Sequence, residues 1–492
     1  MITLSATEAA AALGVDSPRC AVAGVSIDSR SVQVGDLFIA LAGERFDGHD
    51  YVVQALAAGA CGALVEESTW KQGEGVLSAR ERSLVFPVKD TLAALGSLAR
   101  AVRRKSRAQV IAVTGSVGKT GTKDLIGSMG ARVCRVALTA ANQNNEIGVP
   151  LTLLSLDSDT ELVVVEMGMR GRGQIAALAR IAEPDVGIVT NAHAVHLELV
   201  GSLENVAEAK AELFFGIRQG GVAVLPYDSP SLDTRAAAAA RPIVHFGFGP
   251  ASEAAEVRGE FGPDDRRPSL RLFWPEGSIE VETSFSSRHR MENAVAAAAG
   301  LYAAGLPLEE CAQGLSSAAF TPSRGDVVEL PGITIVNDTY NASPAATRAA
   351  IDDLMDLVAK RGGRAVVVFG DMLELGPEAA RYHWEVGAYA AEAGVVSFWG
   401  VGPLSRHAVE GFGSYSKAEA KVDTLTVLGS GEASHVESLA SGGEDVLDNL
   451  RSGDVVLMKA SRRMHLEALV DAAAARFGTV AERARGPIER GG

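Results

Sequence analysis

A lysine and a threonine that follow two spaced glycines form the most chemically suggestive pattern in this sequence. Residues 111–113 are apolar and predict a strand, and Gly115 and Gly118 predict a tight loop after it. In such a loop, backbone N–H groups turn towards phosphate oxygens, Lys119 can reach the β- and γ-phosphates, and the Thr120 hydroxyl can ligate Mg²⁺. The predicted site for ATP or GTP consists of Gly115, Ser116, Val117, Gly118, Lys119, Thr120 and Gly121. The general pattern has a further glycine two residues before Gly115, so a glycine-rich turn that only ends a strand is the alternative.

Side chains that could hold a metal ion follow the next predicted strands. Glu166 ends the apolar run 162–165, and the carboxyl end of a strand lies at the ligand-binding edge of an open α/β sheet. A solvent-facing carboxylate is the equal alternative. His193 and His196 follow another predicted strand and can bind a metal or a phosphate, although an isolated histidine is more often structural. Lys210 lies in a helical segment, where an exposed charge is the ordinary interpretation.

Buried strands alternate with helical segments through most of the chain, which is typical of parallel βαβ units. We predict an α/β protein of three domains: a small N-terminal α/β domain at 1–105, a doubly wound phosphate-loop ATPase domain at 106–322, and a Rossmann-like domain at 323–492. The first boundary depends on the basic stretch 103–107, interpreted as a linker or a solvated helix end. The second depends on the Pro- and Gly-containing segment 321–325. A polar insert is expected near residues 259–268.

The composition is that of an ordinary globular protein. The chain has 492 residues, of which 47% are hydrophobic and 22% charged, and no run of about 18 apolar residues predicts a membrane span. Its net charge of −15 disfavours a broad nucleic-acid-binding surface. The four cysteines lie far apart without a C-x-x-C pair, and the first residues lack the pattern of a signal peptide. We therefore expect a cytoplasmic protein with no nucleic-acid partner.

The phosphate loop, Glu166, the two histidines and Lys210, in this order along the chain, resemble the corresponding motifs of the Mur ligases. These are the ATP-dependent amide-forming enzymes of peptidoglycan assembly. The most specific blocks are Asn-Gln-Asn-Asn-Glu-Ile-Gly-Val-Pro-Leu-Thr at 142–152, Asn-Asp-Thr-Tyr-Asn-Ala-Ser-Pro at 337–344 and Gly-Asp-Met-Leu-Glu-Leu-Gly at 370–376. They are similar to the blocks of members that add D-alanyl-D-alanine to UDP-N-acetylmuramoyl-tripeptide. The Asp-Asn-Pro-Arg motif of the diaminopimelate-adding members is absent.

The resemblance implies an ATP-dependent amide ligase that works through an acyl phosphate. Its implied substrates are UDP-N-acetylmuramoyl-tripeptide and D-alanyl-D-alanine, and we expect a monomer. Two alternatives are kept: a sister ligase that accepts another amine, and a nucleotide-binding regulator without turnover. The second-substrate blocks argue against the sister ligase, and a complete set of metal-binding residues argues against the regulator.

The resemblance also implies roles for the residues introduced above. Lys119 matches the lysine that holds the ATP phosphates. Thr120, Glu166 and His196 match residues that serve Mg²⁺, and His196 is chosen over the neighbouring histidine because His-Leu-Glu matches the family pattern. Lys210 matches a lysine that is carbamylated in the family, which turns a cation into a carboxylate-like metal ligand. The implied catalytic residues are Lys119, Lys210 and His196, and the implied cofactors are ATP and Mg²⁺.

Further matches concern the remainder of the nucleotide. Asn293 matches an asparagine near the adenine, and Arg324 and Asp338 match residues that hold the nucleotide from the linker and the third domain. The chain departs from the family where Arg290 replaces the asparagine of a usual His-Asn pair and where Asn337 replaces the first of two paired aspartates. These departures affect the predicted adenine and ribose contacts.

Two sets of residues match substrate-binding segments of the family. The expected UDP-sugar-binding residues are Ser29, Arg30, Asp47, Gly48 and His49. Without the resemblance, Asp28 and Arg30 would be interpreted as a surface turn. The expected second-substrate residues are Tyr340, Asn341, Asp371, Glu374, Lys459 and Ser461. Ala460 stands where glycine is common in the family's Lys-Gly-Ser-Arg.

Overall fold

The computed structural model describes residues 1–15, 21–43, 46–70, 77–140, 143–193, 202–264, 267–419 and 431–478. Strands in these ranges form sheets of four, nine and six strands. The chain divides into two compact units, one of residues 1–191, 207–286 and 291–319 and the other of residues 192–206, 287–290 and 320–492. The first unit contains the four- and nine-stranded sheets, and the second contains the six-stranded sheet. The predicted α/β fold with three parts is confirmed.

The four-stranded sheet is parallel throughout, and its strands lie side by side in chain order. Its strands are β1 (Gly24–Ser26), β2 (Asp36–Ile39), β3 (Gly62–Glu66) and β4 (Val85–Val88). The accompanying helices are α1 (Ala6–Leu13), α2 (Val52–Ala57), α3 (Ala79–Arg82) and α4 (Thr91–Lys105). Phe38 and Val65 of the sheet form a core with Val52 and Ala55 of α2. The predicted UDP-sugar residues lie in the segments that connect β1 to β2 and β2 to α2.

The nine-stranded sheet is parallel at its centre and ends in an antiparallel extension. Its strands are β5 (Gln109–Thr114), β6 (Val136–Leu138), β7 (Leu162–Glu166), β8 (Val186–Val189), β9 (Val222–Pro226), β10 (Ile243–Phe248), β11 (Val257–Phe261), β12 (Ser269–Trp274) and β13 (Gly277–Glu282). Their spatial order is β13-β12-β11-β10-β9-β8-β5-β7-β6. Because β5 lies between β7 and β8, the carboxyl ends of these three parallel strands meet at one edge, where open α/β sheets bind ligands.

Helices accompany this sheet, and a buried arginine at the end of α4 contacts one of them. The helices are α5 (Lys119–Gly130), α6 (Gly148–Leu154), α7 (Gln174–Ala182), α8 (Leu203–Gly216), α9 (Pro230–Ala238), α10 (Arg288–Ala303) and α11 (Leu308–Ala312). Arg103, at the end of α4, donates to the carbonyl of Ala182 at 2.9 Å and pairs with Asp185 at 2.8 Å. The prediction of a solvated helix end is wrong for Arg103, because its guanidinium satisfies buried acceptors beyond α7.

We predicted a polar insert near residues 259–268, but its first residues, 259–261, belong to strand β11. Val257 and Gly259 are buried there, whereas Arg258 and Glu260 are partly exposed. The period-two alternation of a half-buried strand was obscured by these charged residues. Within the described residues, no helix has the length and apolarity needed to cross a membrane.

The six-stranded sheet of the second unit is parallel except for its first strand. Its strands are β14 (Asp326–Leu330), β15 (Ile333–Asp338), β16 (Arg364–Gly370), β17 (Ser397–Val401), β18 (Glu432–Val436) and β19 (Asp454–Lys459), in the order β14-β15-β19-β16-β17-β18. The helices are α12 (Pro344–Arg361), α13 (Ala379–Glu392), α14 (Ser405–Glu419), α15 (Leu439–Asp448) and α16 (Glu467–Phe477). Val367 and Phe369 of β16 pack into one core, and Val366 and Val368 into another on the opposite face. Cores on both faces confirm the predicted Rossmann-like arrangement.

Candidate active site

The predicted phosphate loop connects the end of β5 to the start of α5. Gly118 has a φ of +86°, which favours glycine, and a Cβ there would lie 2.3 Å from Asn293 Oδ1. A Cβ at Gly121 would lie 2.7 Å from Asn293 Nδ2. A Cβ at Gly115 would lie 1.8 Å from the Thr190 hydroxyl. The positive φ favours glycine at position 118, and the close approaches at positions 118 and 121 show that the Asn293 side chain lies directly against the loop.

Thr120 and Glu166, the predicted magnesium ligands nearest the loop, belong to one hydrogen-bonded cluster. The Thr120 hydroxyl donates to Glu166 Oε2 at 2.8 Å, and Asn144 Nδ2 donates to Glu166 Oε1 at 2.7 Å. Glu166 is completely buried, so the interpretation as a solvent-facing residue is wrong. Lys119 Nζ folds back over its own loop and donates to the carbonyl of Gly115 at 2.8 Å. The cluster thus presents a buried carboxylate at the sheet edge predicted for ligand binding, and Lys119 lies on the adjoining loop.

Lys210 is buried on α8 with only 2% of its surface exposed, so the interpretation as an exposed helix charge is wrong. Burial, and secondarily the charge of Lys119, hold the pKa of the Lys210 amine well below its ordinary value. Burial therefore penalises the charged ammonium form of Lys210. His196, the remaining predicted metal ligand, lies outside the described residues. Within the part of the chain that the structure describes, no three His, Cys, Asp or Glu side chains form a metal-binding group.

The predicted UDP-sugar residues lie on two turns of the four-stranded sheet. Arg30 pairs with Asp28 at 2.6 Å, and this contact lowers the pKa of the Asp28 carboxyl to about 2. The Arg30 side chain is 82% exposed, as the surface-turn alternative expects, and it is open to a ligand. Ser29 is buried and its hydroxyl donates to Gln54 at 3.3 Å.

His49 has a structural role within the second turn. Its Nε2 accepts the backbone N–H of Glu66 at 2.9 Å, so its Nδ1–H donates to Asp47 at 2.5 Å. Gly48 is required between them, because a Cβ there would lie 2.7 Å from the backbone nitrogen of Leu41. Both ring nitrogens of His49 are thus engaged within the protein, and a ligand would have to displace one of these contacts.

In the second unit, residues predicted for the nucleotide and for the second substrate meet at one edge of the sheet. Asp338 and Lys459 end the neighbouring strands β15 and β19 and are paired in register. Buried Lys459 donates to Asp338 at 2.5 Å and to the carbonyl of Asn341 at 2.9 Å. The Arg324 guanidinium lies 3.9 Å from the centre of the Tyr340 ring, a cation–π contact that orients it.

The loop that follows β16 contains Asp371 and Glu374 and is held in place by hydrogen bonds. Asp371 Oδ1 accepts the N–H groups of Leu404 and Ser405 at the start of α14. The Ser461 hydroxyl accepts the N–H of Leu373 at 2.9 Å. The side chains of Asp371 and Ser461 are therefore used to shape the loop. Glu374 adopts a φ of +65°, in the left-handed region that favours glycine.

Three family models together match most of the chain. The Mur ligase family catalytic domain matches residues 21–103, the Mur ligase middle domain residues 113–301, and the glutamate ligase domain of Mur ligases residues 323–462. The chain belongs to the Mur ligase family. The resemblance predicted from the sequence is confirmed, as is the activity class of an ATP-dependent ligase.

Individual Mur ligases are similar to this chain over nearly its whole length. It is 34% identical to the UDP-N-acetylmuramoyl-tripeptide–D-alanyl-D-alanine ligase of Bacillus subtilis over 449 residues, which cover 91% of this chain and 92% of that protein. Its fold is similar to MurF from Acinetobacter baumannii, with a TM-score of 0.82, 28% identity, and coverage of 96% and 99% of the two chains. It is also similar to MurF ligase from Thermotoga maritima in complex with ADP, with a TM-score of 0.77, 26% identity, and coverage of 94% and 98%.

This Mur ligase also uses polar residues to which the sequence analysis assigned no role. Asn144 lies within the specific block 142–152, which was the only available signal, and the structure shows that it binds Glu166. His383 carried no signal, because it is a single histidine in a helix. Its Nε2 accepts the N–H of Met372 at 2.9 Å, and its Nδ1 donates to the carbonyl of Ala379 at 2.7 Å. His383 therefore ties the loop after β16 to α13.

We expect His383→Ala to lower the free energy of unfolding by about 1–3 kcal/mol at pH 8, because it leaves the buried N–H of Met372 without an acceptor. Burial lowers the pKa of His383 in the folded protein, so the unfolded chain binds the proton more readily. The stabilisation by neutral His383 is present above its ordinary pKa and is lost as pH falls below about 6.5.

Urea unfolding of both proteins between pH 8 and pH 5 measures this effect. The difference between wild type and His383→Ala should shrink as the pH falls. A difference that stays constant across this range would show that His383 does not act through its neutral form.

Proposed function

We propose that this Mur ligase joins the amine of D-alanyl-D-alanine to the terminal carboxylate of UDP-N-acetylmuramoyl-tripeptide, with conversion of ATP to ADP and phosphate. The observation that carries the proposal is the 34% identity along 91% of the chain to the Bacillus subtilis ligase of that name. The blocks at 337–344 and 370–376 support the choice of amine. The substrates imply a cytoplasmic enzyme, and we propose that it acts as a monomer.

The reaction requires two displacements. A carboxylate oxygen of the tripeptide attacks the γ-phosphorus of ATP, the bond to the bridging oxygen breaks, and ADP leaves. The amine of the dipeptide then attacks the carbonyl carbon of the acyl phosphate and loses a proton. Phosphate leaves from the tetrahedral intermediate, and an amide remains. We assign to Lys119 the stabilisation of negative charge on the transferred phosphoryl group.

The buried cluster around Glu166 fits a magnesium ion. Carboxylate and hydroxyl oxygens, such as those of Glu166 and Thr120, are the ligands that Mg²⁺ prefers. The hydrogen bonds that Glu166 receives from Thr120 and Asn144 come from neutral donors, so a cation would supply the charge partner that a buried carboxylate requires. When bound, Mg²⁺ would neutralise phosphate charge and orient the γ-phosphoryl group. His196 is proposed as a further ligand from the resemblance alone.

We propose from the resemblance that Lys210 is carbamylated. Its side chain is buried, and burial lowers the pKa of the amine, which shifts it towards the unprotonated form that attacks the carbon of CO₂ and loses a proton to give a carbamate. The product would be a carboxylate-like anion, which suits a metal site better than a buried cation near Lys119.

Phosphate release from ATP tests the proposed substrates. The enzyme is supplied with UDP-N-acetylmuramoyl-tripeptide, containing either diaminopimelate or lysine as its third residue, and with one amine at a time. We expect stimulation by D-alanyl-D-alanine and none by free diaminopimelate, lysine or glutamate. Equal or greater stimulation by a free amino acid would instead indicate a sister ligase, and ATP binding without any stimulation would indicate a regulator.

A further inference from the structure

The backbone N–H groups of Ser116 and Val117 in the phosphate loop are hydrogen-bonded by Asn191, which follows strand β8. Asn191 Oδ1 accepts the N–H groups of Ser116 at 3.1 Å and Val117 at 2.9 Å. Its Nδ2 donates to the carbonyl of Val117 at 3.0 Å, and its own carbonyl also accepts from Ser116. Thr190 donates its hydroxyl to the same carbonyl of Val117 at 2.6 Å. The side-chain amide of Asn191 thus binds two N–H groups and one carbonyl of the loop backbone.

These contacts divide the donors of the loop into two groups. The N–H groups of Ser116 and Val117, which the general pattern would direct to phosphate, already have acceptors on Asn191. The N–H groups from Gly118 onward belong to the N-terminus of α5, and helix N-termini bind anions. Gly118, with its φ of +86°, makes the turn between the two groups.

We propose that Asn191 is a positioning residue for ATP, which presets the phosphate loop so that the N-terminus of α5 receives the phosphates. The proposal rests on the use of ATP in the proposed function. Only a primary amide can accept from two N–H groups and donate to a carbonyl at this point. A carboxylate in its place would lose the donor and would add a negative charge near the phosphates.

A different role would make Asn191 Oδ1 a substitute for a phosphate oxygen, displaced when ATP binds. The geometry favours the positioning role, because the side-chain amide is fixed on both sides and the backbone of Asn191 holds Ser116 as well. The two roles predict opposite effects. Removal of a positioning residue weakens ATP binding, whereas removal of a competing oxygen strengthens it.

The test compares Asn191→Ala and Asn191→Asp with wild type in steady-state kinetics and in calorimetric binding of a non-hydrolysable ATP analogue. We expect the KM for ATP and the Kd of the analogue to rise about 10- to 100-fold. The kcat at saturating ATP and the KM for D-alanyl-D-alanine should stay near their wild-type values. Hydrogen exchange of the peptide spanning Ser116 and Val117 should become faster in the free variant. The matched control is Asn449→Ala, which removes an exposed amide bound only locally to Asp445 and should change none of these values.

Each result decides the proposal. An unchanged or lower KM for ATP would overturn it, as would a fall in kcat at an unchanged KM. If Asn191→Ala does not fold, Asn191→Asp, which has nearly the same shape, decides the question by the same readouts. If the enzyme rejects the proposed substrates, the analogue Kd and the exchange rates still test Asn191, so failure of the proposed function remains distinguishable from failure of this inference.

Discussion

Lys119→Ala should lower phosphate release by at least about 100-fold, because it removes the cation that faces developing charge on the transferred phosphoryl group. In the structure Lys119 Nζ donates to the carbonyls of Gly115 and Ser116, so its ammonium group already lies over the loop. Both contacts are local to the loop, within four residues of Lys119, and their loss should leave the fold intact.

Phosphate release with saturating substrates, together with circular dichroism and the Tm, measures both parts of this prediction. Lys360→Ala is the matched control, since Lys360 is an exposed lysine in the last turn of α12. It should retain wild-type activity. If Lys119→Ala kept more than about a tenth of the wild-type rate, Lys119 could not be the main cation at the phosphoryl group.

Lys210→Ala should lower turnover by about 100- to 1,000-fold, and short carboxylates such as acetate or formate should restore part of the activity. The physical reason is that the deleted side chain leaves space at the position where a carbamate would present its oxygens. Depletion of CO₂ should also lower the wild-type rate. Chloride at equal ionic strength is the control for the added salts, and a folded Lys210→Ala protein that no carboxylate restores would argue against carbamylation.

Replacement of Lys210 should lower turnover but raise the stability of the folded protein. The pKa of Lys210 in the folded protein lies well below its ordinary value of 10.5, so the unfolded chain binds the proton more readily. Folding is therefore penalised progressively as the pH falls below about 10. Lys210→Met should raise the Tm at pH 7.5 in metal-free, CO₂-depleted buffer while it abolishes turnover. A lower Tm would contradict the unfavourable burial of this amine.

Local patterns predicted much of this protein from the sequence. Residues 109–119 form the expected strand and loop and begin the expected helix. These structures were predictable because each depends on residues that are neighbours in the sequence. Alternation of strands and helices predicted the parallel sheets, and motif order predicted the family. The pairing of Thr120 with Glu166 follows from the rule that parallel strands end at the same sheet edge.

The roles of individual polar side chains could not be predicted in this way, because they depend on partners that are distant in the sequence. Arg103 belongs to a basic stretch, yet it is buried because it donates to carbonyls at the end of α7. Asp371 belongs to a recognisable block, yet its carboxylate caps a helix more than thirty residues later. His383 and Asn191 have no pattern of their own.

The family, the parallel βαβ organisation and the position of the phosphate loop were therefore predictable from local sequence patterns and from motif order. The polar groups that hold loops in place, such as Asn191, Asp371 and His383, became evident only from the folded structure. The physical reason is that hydrophobic periodicity and turn geometry act over a few residues, whereas burial and hydrogen bonding depend on which distant segments the fold brings together.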